Sequence, residues 1–163
     1  MADKPLIGII MGSDSDLPIM QKAFDVCKEF EIPYEVKILS AHRTPEQHAE
    51  YSKSAADRGI KVIIAAAGMA AHLPGVTAGS TILPVIGVPM KSKALEGMDA
   101  LLAIVQMPPG VPVATVAIDG AKNAALLAIQ IIATCDSDLQ QKLKDYKLKM
   151  AEESMKKNEK INL

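Results

Sequence analysis

The chain has 163 residues, 49% of them apolar, with 18 basic and 19 acidic side chains dispersed along it. That length suits one hydrophobic core, and the near-neutral charge leaves no basic face for nucleic acid outside the C-terminal tail. No apolar run approaches the roughly 20 residues of a membrane helix, and Met1-Ala2-Asp3-Lys4-Pro5 lacks the apolar stretch of a signal peptide, so a soluble cytoplasmic protein with no membrane partner is expected.

Leu6–Met11 is an unbroken apolar run, as in a strand covered on both faces. It breaks at Gly12-Ser13-Asp14-Ser15-Asp16. Ile19, Met20, Ala23, Phe24, Cys27 and Phe30 then recur at three- and four-residue spacing, which predicts an amphipathic helix. Tyr34–Leu39 reads as a second strand. Thr44-Pro45-Glu46-Gln47 predicts a helix start, with Thr44 as cap, Pro45 in the first position and Gln47 closing a capping box. That helix runs to about Arg58 and stops at Gly59. Lys61–Ala67 is a third strand, followed by a Gly68–Gly75 loop and a short helix. Pro84–Val88 and Val113–Ile118 are the fourth and fifth strands, separated by a helical pattern over Ala94–Val105. Lys122–Thr134 is helical, and Ser137 with Gln140 resembles a capping box opening a charged helix to about Lys157, beyond which the chain is expected to fray. Cys27 and Cys135 fall inside helical apolar patterns and are expected to be buried free thiols. Alternating strands and helices with short connections predict an α/β fold. The expected architecture is three-layer α/β/α: a five-stranded parallel sheet of flavodoxin-like order, 2-1-3-4-5, with an extended C-terminal helix, in a single domain over residues 1–163.

In such sheets ligands bind beyond the carboxyl ends of the strands, where the strand order reverses. Here that point lies between strands one and three. Three loops converge on it, and they carry His42 and His72, two of the three histidines. In the first, Gly12 allows a sharp turn, and Ser13 and Ser15 offer hydroxyls beside the free N–H groups of a helix start, a setting that favours phosphate. Asp16 is either that helix's cap or a carboxylate gripping ribose hydroxyls. In the second, Ser40-Ala41-His42-Arg43-Thr44-Pro45, the Arg43 guanidinium suits bidentate phosphate binding or a surface salt bridge. An imidazole both gives and takes a proton near neutral pH, which fits His42 for acid–base work; the alternative is a loop residue satisfied by backbone. In the third, His72 either serves the site or caps and packs the following helix. His48, beside Gln47 and Glu50, is expected on the surface. No cysteine pair or His-x-x-x-His spacing marks a metal site, the phosphate-loop, dinucleotide and Gly-x-Ser-x-Gly strings are absent, and aromatics to stack a flavin are scarce.

Met11-Gly12-Ser13-Asp14-Ser15-Asp16, Ser40 to Pro45, and Ala70-Ala71-His72-Leu73-Pro74-Gly75 together resemble the N5-carboxyaminoimidazole ribonucleotide mutases of purine synthesis. Val105-Gln106-Met107-Pro108 and Lys122-Asn123-Ala124-Ala125-Leu126-Leu127 extend the likeness over roughly residues 6 to 148. The resemblance implies conversion of N5-carboxyaminoimidazole ribonucleotide to 4-carboxy-5-aminoimidazole ribonucleotide without ATP, metal or biotin, hence no cofactor. It implies that Ser13, Asp16 and Arg43 bind the ribonucleotide, and that Ser40, Ala41, Gly68 and Ala71 line the site with Gly12, Ser15 and Leu73. His42 would be the general acid and base, and His72 would support the substrate or a closed loop. Family members are octamers whose C-terminal helix, here about 137–157, reaches a neighbour. A second class carboxylates aminoimidazole ribonucleotide directly with CO2; Arg43, Pro45 and His72-Leu73-Pro74-Gly75 resemble the first class. Ala66 and Met69 stand where the family has glycines, and the Ile118–Lys122 turn is shorter than is usual there. Direct carboxylation and a non-catalytic nucleotide-binding module are the alternatives.

Overall fold

A computed structural model describes residues 4–161. In chain order it contains β1 (Ile7–Met11), a 3-10 turn (Asp14–Asp16), α1 (Leu17–Glu29), β2 (Tyr34–Ile38), α2 (Pro45–Ser54), β3 (Val62–Gly68), α3 (Leu73–Ala78), β4 (Val85–Met90), α4 (Met98–Val105), β5 (Ala114–Thr115), α5 (Ala121–Ala133), α6 (Ser137–Lys156) and a closing 3-10 turn (Lys157–Lys160). The fraying expected at the end falls partly on 162–163, outside the described residues.

All five strands are parallel, in the order β2-β1-β3-β4-β5. Alternate strand residues feed two cores. Ile7, Ile9 and Met11, with Val62, Ile64 and Ala66, meet α1 and α5 on one face. Ile10, with Ile63, Ala65 and Ala67, meets α2, α3 and α4 on the other. Both faces of the central strands are therefore dry, which is why those strands read as continuous apolar runs rather than alternating ones. α6 lies outside α5, attached by Leu139 with Leu143 and Tyr146 packed against it. Among the described residues no helix is long and apolar enough to cross a membrane.

Boundaries differ from the sequence pattern where side chains find other partners. β5 pairs only as Ala114–Thr115 against Ile86 and Gly87. The chain continues beside β4, with Val116 N donating to Gly87 O at 3.2 Å and Asp119 N to Pro89 O at 2.8 Å, but Pro89 has no N–H to return. Thr44 does not cap α2. Its hydroxyl accepts from Ser40 N at 2.9 Å and donates to Ser40 O at 3.1 Å, tying the preceding loop into a ring. α6 is capped by Asp136, which accepts from Leu139 N at 2.9 Å, while Gln140 turns back to donate to Ala133 O at 2.7 Å. α4 opens at Met98, after Gly97 in the left-handed region at φ 91°, so Ala94–Glu96 stay outside the helix. Cys27 is buried as expected, and burial pushes its thiol up to about 12. Cys135 is exposed instead, because the helix ends before it.

Candidate active site

The carboxyl ends of β1, β2, β3 and β4 open onto one cavity of about 510 Å³. Gly12, Ser13, Ser15, Asp16, Ser40, Ala41, His42, Arg43, Gly68, His72 and Leu73 line it. Ala71 does not: its side chain is buried beneath the loop, at 1% exposure. Ala67, Met69, Ala70, Met90, Lys91 and Ser92 complete the wall. Met90 ends β4 and Lys91 and Ser92 follow it, and none of the three was expected at the site from the sequence. Their position at the carboxyl end of a buried strand was the available signal.

Each loop is shaped by its own polar groups. Ser13 caps the 3-10 turn, its hydroxyl accepting from Ser15 N at 3.3 Å and donating to Asp14 at 3.2 Å. Asp16 sits at the cap position of α1 but makes no capping bond, which leaves its carboxylate to the cavity. Burial is the main cause that raises its pKa, with Asp119 and Asp14 adding negative charge nearby. Gly12 has room for a side chain and no positive φ, so the backbone turn is not what calls for glycine there.

After β2, Ser40 Oγ accepts from His42 N at 3.3 Å and from Arg43 N at 3.1 Å. The Arg43 guanidinium then reaches across to donate to Gly12 O at 2.9 Å, joining the first two loops. It is not a salt bridge. After β3, Met69 lies in the left-handed region at φ 54°. Ala71 N and His72 N each donate to a carbonyl two residues back, Met69 O at 2.8 Å and Ala70 O at 2.7 Å. This tight winding presents His72 to the cavity, where its Nδ1 lies 2.6 Å from His42 Nε2. After β4, Asp119 accepts from Lys91 N at 2.9 Å and so holds the cavity rim. The Lys91 ammonium pairs with Glu96 at 2.5 Å, which raises its pKa.

His48 is not on the surface. It is 1% exposed on α2, with Nε2 2.8 Å from Thr77 Oγ1 on α3. The helix face that carries it turns inward against α3, and its polar neighbours Gln47 and Glu50 point outward. Among the described residues no three His, Cys, Asp or Glu side chains converge as a metal-binding group.

A family model described as AIR carboxylase matches residues 6–153. An N5-carboxyaminoimidazole ribonucleotide mutase of Pyrococcus horikoshii is 63% identical over 145 residues, covering 89% of this chain and 82% of that one. A phosphoribosylaminoimidazole carboxylase of Saccharomyces cerevisiae is 57% identical over 158 residues, 97% of this chain but 28% of that longer one. A crystal structure of Treponema denticola PurE superposes with a TM-score of 0.87 at 33% identity, covering 98% of this chain and 99% of that one. The cavity's three converging loops thus sit on a fold and a sequence shared with these proteins, and the chain belongs to the AIR carboxylase family.

Proposed function

We propose that this protein is an N5-carboxyaminoimidazole ribonucleotide mutase, forming 4-carboxy-5-aminoimidazole ribonucleotide with no metal or ATP. The observation that carries the reading is His42 in one cavity with Ser13, Asp16 and Arg43, in a chain 63% identical to a protein of that name. The phosphate would lie against Ser13, Ser15 and Arg43 at the start of α1, where free N–H groups favour an anion. The Arg43 fork keeps further N–H donors after its bond to Gly12. Asp16, free of any capping bond, would take the ribose hydroxyls. Ser40, Ala41, Gly12, Gly68, His72 and Leu73 complete the proposed binding set.

In the proposed reaction His42 protonates the carbamate nitrogen. The carbon–nitrogen bond breaks with its electrons going to nitrogen, releasing CO2 beside the ring. The electron-rich C4 attacks that CO2, and His42 removes the C4 proton. The CO2 released is the CO2 captured, so the step balances without a further reactant. Holding CO2 in place replaces a bimolecular encounter, an effect worth up to about 7–11 kcal/mol. The test is incubation with N5-carboxyaminoimidazole ribonucleotide alone, following the C4-carboxylated product. His42→Asn should keep the KM and lose at least about 100-fold in kcat; near-normal turnover would remove His42 from the chemistry. The carboxylase name of the yeast relative favours one second reading, direct carboxylation, for which aminoimidazole ribonucleotide with dissolved CO2 would be turned over and the carbamate would not.

The same reading extends to assembly: a cytoplasmic homo-octamer of single-domain subunits, with α6 packed on a neighbour. Two apolar surfaces support it. Met98, Leu102 and Val105 form one exposed face of α4, and Leu148 and Met155 stand exposed on the distal half of α6.

A further inference from the structure

The two histidines of the cavity meet edge to face. His42 Nε2 lies 2.6 Å from His72 Nδ1, and the rings cross at 78° with centroids 4.8 Å apart. Two imidazole nitrogens that close must share one proton, because two N–H groups or two lone pairs facing each other would repel. The contact therefore constrains the tautomers of both rings. It also occupies His42 Nε2 and leaves Nδ1, which has no partner among the described residues, as the nitrogen free for a substrate.

We propose that His72 is the proton partner of His42: it sets which His42 nitrogen carries hydrogen and refills that ring as it gives its proton away. The proposal rests on His42 being the general acid and base. In the loaded state the pair holds three N–H groups, with His72 donating from Nδ1 to His42 Nε2 and His42 carrying a proton on Nδ1. When His42 Nδ1–H passes to the carbamate nitrogen, the His72 Nδ1 proton moves to His42 Nε2. One N–H bond breaks on each ring, one forms on His42, one forms on the substrate, and the pair is left neutral. The hydrogen bond reverses direction without parting. Removal of the C4 proton by His42 Nδ1 runs the same transfer backward. His42 thus never has to hold the whole positive charge alone. Asp16, Arg43 and Lys91 are the other charged groups on the cavity wall.

The test is the 15N imidazole spectrum of the ligand-free protein, which has only three histidines, read beside the steady-state kinetics. His72→Phe keeps a ring but neither donates nor accepts. It should move the His42 nitrogens toward the tautomer mixture of free imidazole; an unchanged His42 pattern would overturn the proposal. His72→Asn can hold the hydrogen bond but cannot relay a proton. It should leave KM within about threefold and lower kcat about 10-fold or more, a smaller loss than the roughly 100-fold or more expected when the acid–base group itself is removed. Full recovery of kcat in His72→Asn would reduce His72 to a purely structural support and overturn the relay. The imidazole spectrum does not depend on turnover, so an inactive wild-type protein would count against the mutase reading while leaving the pairing measured.

Discussion

Buried on α2, His48 ties together the two segments that carry the histidine pair, since α2 follows the His42 loop and α3 follows His72. Thr77 donates its own proton to Leu73 O at 2.7 Å and Ser52 donates to His48 O at 2.9 Å. Both hydroxyls, Thr77 Oγ1 at 2.8 Å and Ser52 Oγ at 3.3 Å, are thus acceptors toward His48 Nε2–H, and the ring is neutral with its lone pair on Nδ1, the atom left without a partner. Burial lowers the pKa of this imidazole. The folded value lies below the unfolded value of about 6.5, so the unfolded chain binds more protons in acid. The stability tied to this residue is present in full above about pH 6.5 and is lost as pH falls through the lowered folded value. His48→Leu leaves both hydroxyls their backbone partners and removes that coupling. Urea unfolding at pH 7.5 and pH 5 should show a larger loss for the wild type than for the variant; equal losses would contradict this account.

Gly12 makes the opposite case, a residue whose identity the fold does not require. A Cβ there would meet nothing within 4 Å and the backbone is not left-handed, yet the residue lines the cavity. Gly12→Ala should therefore leave Tm unchanged and raise KM about tenfold, equivalent to about 1.4 kcal/mol. A fall in Tm without a change in KM would mean that the glycine serves the turn. Met69 bears a cost of its own, since a left-handed side chain costs about 1–2 kcal/mol, in the loop that delivers His72.

At the level of elements, the α6 start separates two readings of its cap. Asp136 accepts the Leu139 N–H, whereas the Ser137 and Gln140 pattern suggests a box one residue later. Asp136→Ala should cost about 1 kcal/mol, lowering Tm by about 2–4 °C in a chain of this size, and Ser137→Ala should cost far less. Equal effects would restore the pattern-based cap. The elements themselves were legible because burial on both faces makes unbroken apolar strands and one-sided burial makes helical spacing. Their ends were not legible in the same way. Thr44 turns to Ser40, Asp136 displaces Ser137, and Pro89 truncates β5. Each end is decided by which hydrogen-bond partner lies nearest in space.

At the scale of the molecule, apolar surfaces on α4 and α6 stay uncovered among the described residues, while the central strands of the sheet are covered on both faces. Leu102 is 50% exposed at the centre of the α4 stripe and Leu148 is 62% exposed on α6. Under the proposed assembly these surfaces are buried between subunits. Leu102→Asp would set a charge in that interface at a steep desolvation cost, and sedimentation should show a loss of mass relative to the wild type. A wild-type protein that sediments as a monomer would remove the assembly proposal.

The sequence alone pointed to a parallel sheet of flavodoxin-like order, the two-sided burial of β1, and the convergence of the 12–16, 40–45 and 68–75 loops. These follow from local periodicity, and from the rule that parallel strands expose their carboxyl ends together. Only the tertiary structure decided that His72 meets His42 rather than capping α3, that Arg43 reaches Gly12, that His48 is buried, and that Lys91 and Ser92 join the rim. The first three depend on the direction in which a side chain leaves its loop or helix toward a group about 30 residues away, and the last on Asp119 reaching the Lys91 N–H. Local periodicity carries no record of that direction; it is set when the packed helices lock the loops in place.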